Sequence, residues 1–136
     1  MKAVLDTNIF VSGIHWKGIS SKIIEAMHEN KFKSVTSEEI LKEFVGIMQN
    51  FKIQMPNEAV MSWKNLIMCK SEIVLPKQKL NVVKNDPDDN KFIEAAIEGN
   101  CDYIVSKDKK HLLIMKEFKG IKIVSPEEFL GLISKN

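Results

Sequence analysis

The chain has 136 residues, 44% hydrophobic and 28% charged, with a formal net charge of +2. These values exclude disordered and fibrous classes and suit one domain over residues 1–136, long enough to bury roughly two thirds of its unfolded surface. The charge permits a polyanionic partner but is too small for a dedicated DNA-coating protein. No apolar run reaches the length of a membrane span, and Met1-Lys2 leads straight into a strand-like run instead of a signal peptide, so a cytoplasmic protein with no membrane partner is expected.

In chain order, Lys2 to Leu5 reads as a strand, with Thr7-Asn8 supplying the turn chemistry that ends it. Residues Ile9 to Ile14 give one or two helical turns interrupted by Gly13 and Gly18. From Ser20, Ile23, Ile24 and Met27 recur at helical spacing up to about Asn30, with Ser20 or Ser21 as cap. A strand over Lys33 to Thr36 follows. Ser37 then caps a helix from Glu38 to Met48, whose apolar positions are Ile40, Leu41, Phe44, Val45 and Met48 and whose first turn holds Glu38 and Glu39. After a loop over Asn50 to Met55, Pro56 introduces a helix from Asn57 to Cys69.

Ser71 to Leu75 reads as a strand ended by Pro76. Beyond Pro87 and Asp88-Asp89, a helix from Lys91 to Glu98 packs through Phe92, Ile93, Ala96 and Ile97 before Gly99 stops it. Tyr103 to Ser106 and Ile121 to Val124 are strands, and Ser125-Pro126 with Glu127-Glu128 is a well-formed start for a last helix. Alternating strands and helices imply an α/β protein, with a mostly parallel sheet covered by helices on both faces. Cys69 and Cys101 sit in apolar surroundings without metal-ligand spacing, so both are expected as buried reduced thiols.

Four acidic residues stand out by position. Asp6 closes the run Ala3-Val4-Leu5, and Asp108 follows Tyr103-Ile104-Val105. Glu43 lies within a helix, one turn from Glu39, among Leu41, Phe44 and Val45. Asp89 stands at a helix start. In open parallel sheets the strand carboxyl ends line the ligand crevice. Carboxylates gathered there would repel by roughly 4 kcal/mol per pair at about 4 Å and an effective dielectric near 20. A cation relieves that strain, and oxygen ligands without a His or Cys cluster favour Mg²⁺ or Mn²⁺ over zinc. On the same reasoning, removing the Asp108 charge is expected to leave metal-free stability unchanged or raised.

Each acid also has a plainer reading. Asp6 alone is compatible with a turn aspartate, and Asp88 or Asp89 with a helix cap. The stretch Asn85-Asp86-Pro87-Asp88-Asp89-Asn90 is dense in oxygen donors but lacks the EF-hand spacing. There is no Walker loop, GxGxxG or GxSxG, and His15, His28 and His111 lack triad partners. His28 reads as a helix-face residue and His111 mainly as a surface one. The lysine groups Lys77, Lys79, Lys84 and Lys107, Lys109, Lys110 read as solvated faces or as guides for a polyanion.

Taken together, Val4-Leu5-Asp6-Thr7-Asn8, Ile40-Leu41-Lys42-Glu43-Phe44, Asp86-Pro87-Asp88-Asp89-Asn90-Lys91-Phe92 and Asp102-Tyr103-Ile104-Val105-Ser106-Lys107-Asp108 resemble the successive motifs of PIN-domain ribonucleases, including the VapC-like toxins of toxin–antitoxin pairs. The resemblance covers nearly the whole chain. It implies a three-layer α/β/α sandwich on a mostly parallel sheet of about five strands. It further implies a hydrolase that cleaves single-stranded RNA with Mg²⁺ or Mn²⁺, a cognate antitoxin protein and a homodimer.

On that pattern Asp6, Glu43, Asp89 and Asp108 form the catalytic quartet, with Asp6, Asp89 and Asp108 on the metal. The third acidic position stays open between Asp89, Asn90 and Asp86. Thr7, Asn8, Asp86, Asn90, Ser106 and Lys107 are candidates for supporting or substrate-contacting roles. Two rivals are carried: a catalytically silent interaction module whose acids cap helices, and a phosphatase of the haloacid dehalogenase type. The second is weakened because Asn8 stands where that class needs a second aspartate.

Overall fold

A computed structural model describes residues 1–51, 54–83 and 86–134. Six strands form one sheet: β1 Lys2–Leu5, β2 Lys33–Ser37, β3 Ser71–Val74, β4 Tyr103–Val105, β5 Glu117–Phe118 and β6 Ile121–Val124, in the order β3-β2-β1-β4-β6-β5. All neighbours pair in parallel except β5 with β6. The helices are α1 Thr7–His15, α2 Ile19–His28, α3 Glu38–Gln49, α4 Asn57–Cys69, α5 Asn90–Glu98 and α6 Pro126–Ser134; one 3₁₀ turn over Pro87–Asp89 runs into α5 and another covers Leu113–Met115.

The central strand β1 is apolar on both sides because helices cover both faces of the sheet. Ala3 and Leu5 face a core shared with α1, α2, α3, α4 and α6, including Phe10, Ile23, Phe44, Val60 and Phe129. Val4 faces the opposite core, with Ile104, Val35, Phe92, Ile93 and Ala96, where α5 packs. The period-two alternation along β1 therefore builds the three layers, and each buried side chain contributes on the order of 1.5–3 kcal/mol before entropy is counted. The sheet has one strand more than the expected five. The two-residue β5 lies in the connection from β4 to β6, too short for a periodic signal.

Several local expectations change. Thr7-Asn8 is not a turn: α1 begins at Thr7, and Asp6 caps it by accepting from the Asn8 N–H at 3.1 Å. Gly13 does not interrupt α1; it stands where α2 packs closely against that helix. A Cβ there would stand 2.6 Å from Ile24 Cγ1 and 2.8 Å from the Ser20 carbonyl oxygen. The next helix starts at Ile19 after Gly18 without a side-chain cap, and Ser20 is buried within it instead of capping it.

Ser37 caps α3 through its hydroxyl as expected, accepting from Ile40 N at 3.3 Å. Neither Asp88 nor Asp89 makes a side-chain capping bond, since the 3₁₀ turn feeds α5 with helical backbone already formed. Cys101 is buried but Cys69, in the last turn of α4, is exposed, and both are free thiols. Within the expected 50–55 loop, Lys52 and Ile53 lie outside the described residues, as do Lys84 and Asn85. No helix among the described residues is long and apolar enough to cross a membrane.

The close approach at Gly13 generates a prediction. Helix propensity alone favours Gly13→Ala by about 1 kcal/mol, but the added methyl must displace a backbone carbonyl, and overpacking of this kind costs about 1–3 kcal/mol. The denaturant midpoint of Gly13→Ala is expected to fall; a rise would show that α1 and α2 separate at little cost.

Candidate functional site

Parallel pairing of β1 with β4 aligns Leu5 with Val105, so the residues that follow each strand emerge together. Asp6 N donates to Val105 O at 3.0 Å, and Ser106 N donates to Val124 O at 3.0 Å, which extends the ladder past the strand ends. Ser106 is fully buried; its Oγ donates to Asp6 Oδ2 at 2.8 Å and accepts from Asp108 N at 2.9 Å. One hydroxyl thus orients two acidic positions. Asp6 Oδ1 is meanwhile held by Asn8 N at the amino end of α1, where the helix dipole favours negative charge.

Asp6, Asn8, Glu43, Ile47, Asp86, Asp88, Asp89, Phe92, Lys107 and Asp108 line one open cleft of about 410 Å³ at this edge of the sheet. All four residues expected as the acidic quartet are therefore brought to one cleft, with Asp86 and Asp88 as two further carboxylates beside them. Lys107 lies on its wall. Thr7 is buried beneath, and its hydroxyl has no hydrogen-bond partner among the described residues. Asn90 is engaged elsewhere: its carbonyl accepts from Val82 N at 2.9 Å and Val83 N at 2.8 Å, and its amide donates to Val83 O and Pro87 O. That carboxamide staples the preceding loop onto α5.

Two residues that sequence reasoning undervalued complete the geometry. Lys91 is buried at 7% exposure, and its ammonium donates to Glu43 Oε2 at 2.8 Å and to the Asp88 carbonyl at 2.6 Å. Glu43 is thereby neutralised and fixed from the side of α5. His111 places Nδ1 3.2 Å from Asp108 Oδ2 and 3.8 Å from both Asp86 Oδ2 and Asp89 Oδ2. The three-residue step from Asp108 was its only sequence signal; nothing in the local sequence announces that Lys91 is buried.

The electrostatics follow from burial. Desolvation raises the Asp6 pKa above the ordinary aspartate value; the bonds from Ser106 and Asn8 pull it back, and the charges of Glu43 and Asp108 push it up further. Asp89 is pushed up to about 8, first by burial, then by its hydrogen bond to Asp108 and by the charges of Asp86, Asp6 and Asp108. Burial also pushes Asp108 up, but bonds from Asp89, from the N–H groups of His111 and Lys110 and from the His111 ring together carry it below the ordinary value. One proton is in effect shared, held by Asp89 and donated to Asp108. Asp108 is therefore also a structural acceptor, taking Lys110 N at 3.0 Å and His111 N at 3.1 Å. These backbone bonds need an oxygen at this position and not a charge, so the expectation of unchanged or raised metal-free stability applies to Asp108→Asn, whose Oδ1 can accept both.

With every carboxyl ionised, Asp89 Oδ2 is a buried oxygen that no donor reaches among the described residues. Such an atom is satisfied by a proton or by a cation. The donor set fits a hard divalent ion, since carboxylate oxygens dominate the cleft. Ligand atoms of Asp86, Asp89 and His111 also lie within 4.8 Å of one another.

Comparison with known proteins follows the same lines. A family model described as PIN domain matches residues 2–110. Uncharacterized protein MJ1680 of Methanocaldococcus jannaschii is 33% identical over 146 aligned positions, which cover 99% of this chain and 93% of that protein. The crystal structure of VapBC2 from Rickettsia felis, bound to a DNA fragment from their promoter, contains a chain that superposes with a TM-score of 0.63 at 18% identity, over 92% of this chain and 98% of that one. At that identity the likeness is one of fold.

The Asp89 proton gives a stability test. Its pKa is raised on folding, so its contribution is fully present below about pH 4 and is lost as pH rises from there toward about 8. Asn at this position can donate to Asp108 as the protonated acid does but never ionises. In chelator, the melting temperature of Asp89→Asn is expected to match wild type near pH 4 and to exceed it increasingly up to pH 8. A gap that does not depend on pH would rule out the shared proton.

Proposed function

The chain belongs to the PIN-domain family, and on that premise we propose that it is a metal-dependent endoribonuclease that cuts single-stranded RNA as the toxin of a toxin–antitoxin pair. The observation that carries this reading is the convergence of Asp6, Glu43, Asp86, Asp89 and Asp108, from distant parts of the sequence, on one cleft. Supporting it is the buried Asp89 oxygen that lacks a donor. A fold built for stability alone gains nothing from like charges gathered at a partly desolvated edge.

In the proposed centre Asp6, Asp89 and Asp108 would hold one or two Mg²⁺ or Mn²⁺ ions. When bound there, the metal would neutralise charge on the scissile phosphate and make an attacking water more acidic. The chain's own residues supply the positioning. Ser106 locks Asp6 and the Asp108 backbone in one orientation. Lys91 fixes Glu43, which would complete the set of ligands or orient the water. Asn8 is placed on the cleft wall to meet a phosphate or ribose, with Thr7 beneath it. Lys107, with Lys109 beyond it, draws the RNA backbone toward the carboxylates, so binding should weaken as salt rises.

A cognate antitoxin and a second copy of the chain are part of the same proposal. The solved neighbour was captured as a VapBC2 assembly with promoter DNA. Co-expression with the product of an adjacent reading frame, followed by a cleavage assay and sedimentation, tests both.

The central experiment is cleavage of single-stranded RNA with and without Mg²⁺ or Mn²⁺. Wild type is expected to cut only with metal. Asp6→Asn is expected to lower kcat by at least about 100-fold, the scale on which loss of electrostatic stabilisation at a reacting centre acts, and to bind Mn²⁺ severely more weakly by calorimetry. Asp89→Asn is expected to lose cleavage while staying folded. Unchanged Mn²⁺ affinity in folded Asp6→Asn would remove the metal centre, and metal binding without any cleavage would leave a silent interaction module.

A further inference from the structure

We propose that His111 supplies a nitrogen ligand to this centre through Nδ1, beside Asp86 and Asp89, and that this gives the chain a preference for a transition ion such as Mn²⁺ over Mg²⁺. The proposal rests on the metal-dependent reading of the cleft and adds a donor that the acidic pattern does not contain.

Geometry carries it. His111 sits at the rim of the cleft in a turn that is itself tied down: Asp108 Oδ1 accepts the His111 N–H, Leu113 N donates to Asp108 O at 2.8 Å, and neighbouring Leu112 is fully buried. The ring is therefore presented by a fixed backbone. Its Nδ1 points at three carboxylates together, at 3.2 Å and twice 3.8 Å. Nδ1 closes on Asp108 Oδ2 within hydrogen-bond distance and keeps the Asp86 and Asp89 oxygens in reach of an ion placed between them. Here Asp89 Oδ2, buried and without a donor, stays beyond hydrogen-bond distance of that nitrogen.

The ligand atoms of Asp86, Asp89 and His111 lie within 4.8 Å of one another. Two bonds of about 2.0–2.2 Å to one ion span up to about 4.4 Å, so the three atoms need move only a few tenths of an ångström to share an ion. Toward Asp108 Nδ1 is the donor; it offers its lone pair to an ion when the ring carries its proton on Nε2 instead.

The chemical consequence is selectivity. Mg²⁺ takes oxygen ligands in a demanding octahedral shell and gains little from nitrogen. Imidazole suits later first-row ions, for which affinity rises along the series beginning with Mn²⁺. A carboxylate-only cleft would discriminate less between the two.

The test uses the full chain loaded with Mn²⁺ and pulsed electron paramagnetic resonance, which detects nitrogen bound to the ion independently of activity. Wild type is expected to show ¹⁴N modulation that converts to the ¹⁵N pattern when the histidines are ¹⁵N-labelled. With only three histidines in the chain, the signal is expected to vanish in His111→Gln and to persist in the His15→Gln, His28→Gln double variant. The double variant also assigns the signal should His111→Gln fail to fold. Calorimetry is expected to show Mn²⁺ affinity falling by roughly tenfold or more in His111→Gln with Mg²⁺ affinity changed by less than about twofold. Bound Mn²⁺ without histidine nitrogen, or a nitrogen signal that survives in folded His111→Gln, overturns the proposal while leaving the metal-dependent reading in place. No Mn²⁺ binding by wild type overturns both.

Discussion

The register of β1 against β4 is the constraint on which the site depends. Pairing Leu5 with Val105 places Asp6 beside Ser106 although they are 100 positions apart in the chain. A slip of one residue would turn Leu5 and Val4 to the wrong cores and carry Asp6 away from its serine. The register is therefore enforced by the apolar packing on both faces of the sheet, and the polar edge is positioned by hydrophobic burial that lies behind it.

That edge collects more negative charge than it neutralises. Lys91 compensates Glu43 from within the protein, and the Ser106 hydroxyl and the Asn8 amide moderate Asp6. Asp89 and Asp108 share a proton, Asp108 also accepts the Lys110 and His111 N–H groups, and one imidazole faces Asp86, Asp89 and Asp108 together. The arrangement is satisfied differently on its two sides. Around Glu43 the charge is met by an ion pair from within the protein. Around Asp89 the arrangement is open to a cation, and this asymmetry separates a residue suited to positioning from residues suited to ligation.

Local roles also overlap at single positions. Asp6 is both the cap of α1 and a wall of the cleft, and Asp108 both faces the cleft and holds the turn that presents His111. A carboxylate that is also a backbone acceptor is kept in one orientation, which is what a preorganised centre requires. Asn90 shows the converse: it stands next to the acids in sequence, yet its four backbone bonds make it a staple for the loop that carries them.

The alternation of strands and helices, the parallel sheet, the Ser37 cap and the gathering of Asp6, Glu43, Asp89 and Asp108 were legible in the sequence, because apolar periodicity and acids at strand ends are local patterns. Gly13 inside α1, the short antiparallel β5 and the exposure of Cys69 were not, because each is decided by what packs against it from elsewhere in the chain. The same division runs through the site. The sequence by itself determined which acids stand at the ends of strands and helices. Only the tertiary structure decided that Lys91 is buried against Glu43, that Asn90 is tied into its loop, and that His111 meets three carboxylates. Those facts are distances between elements, and residue order along a single chain does not encode them locally.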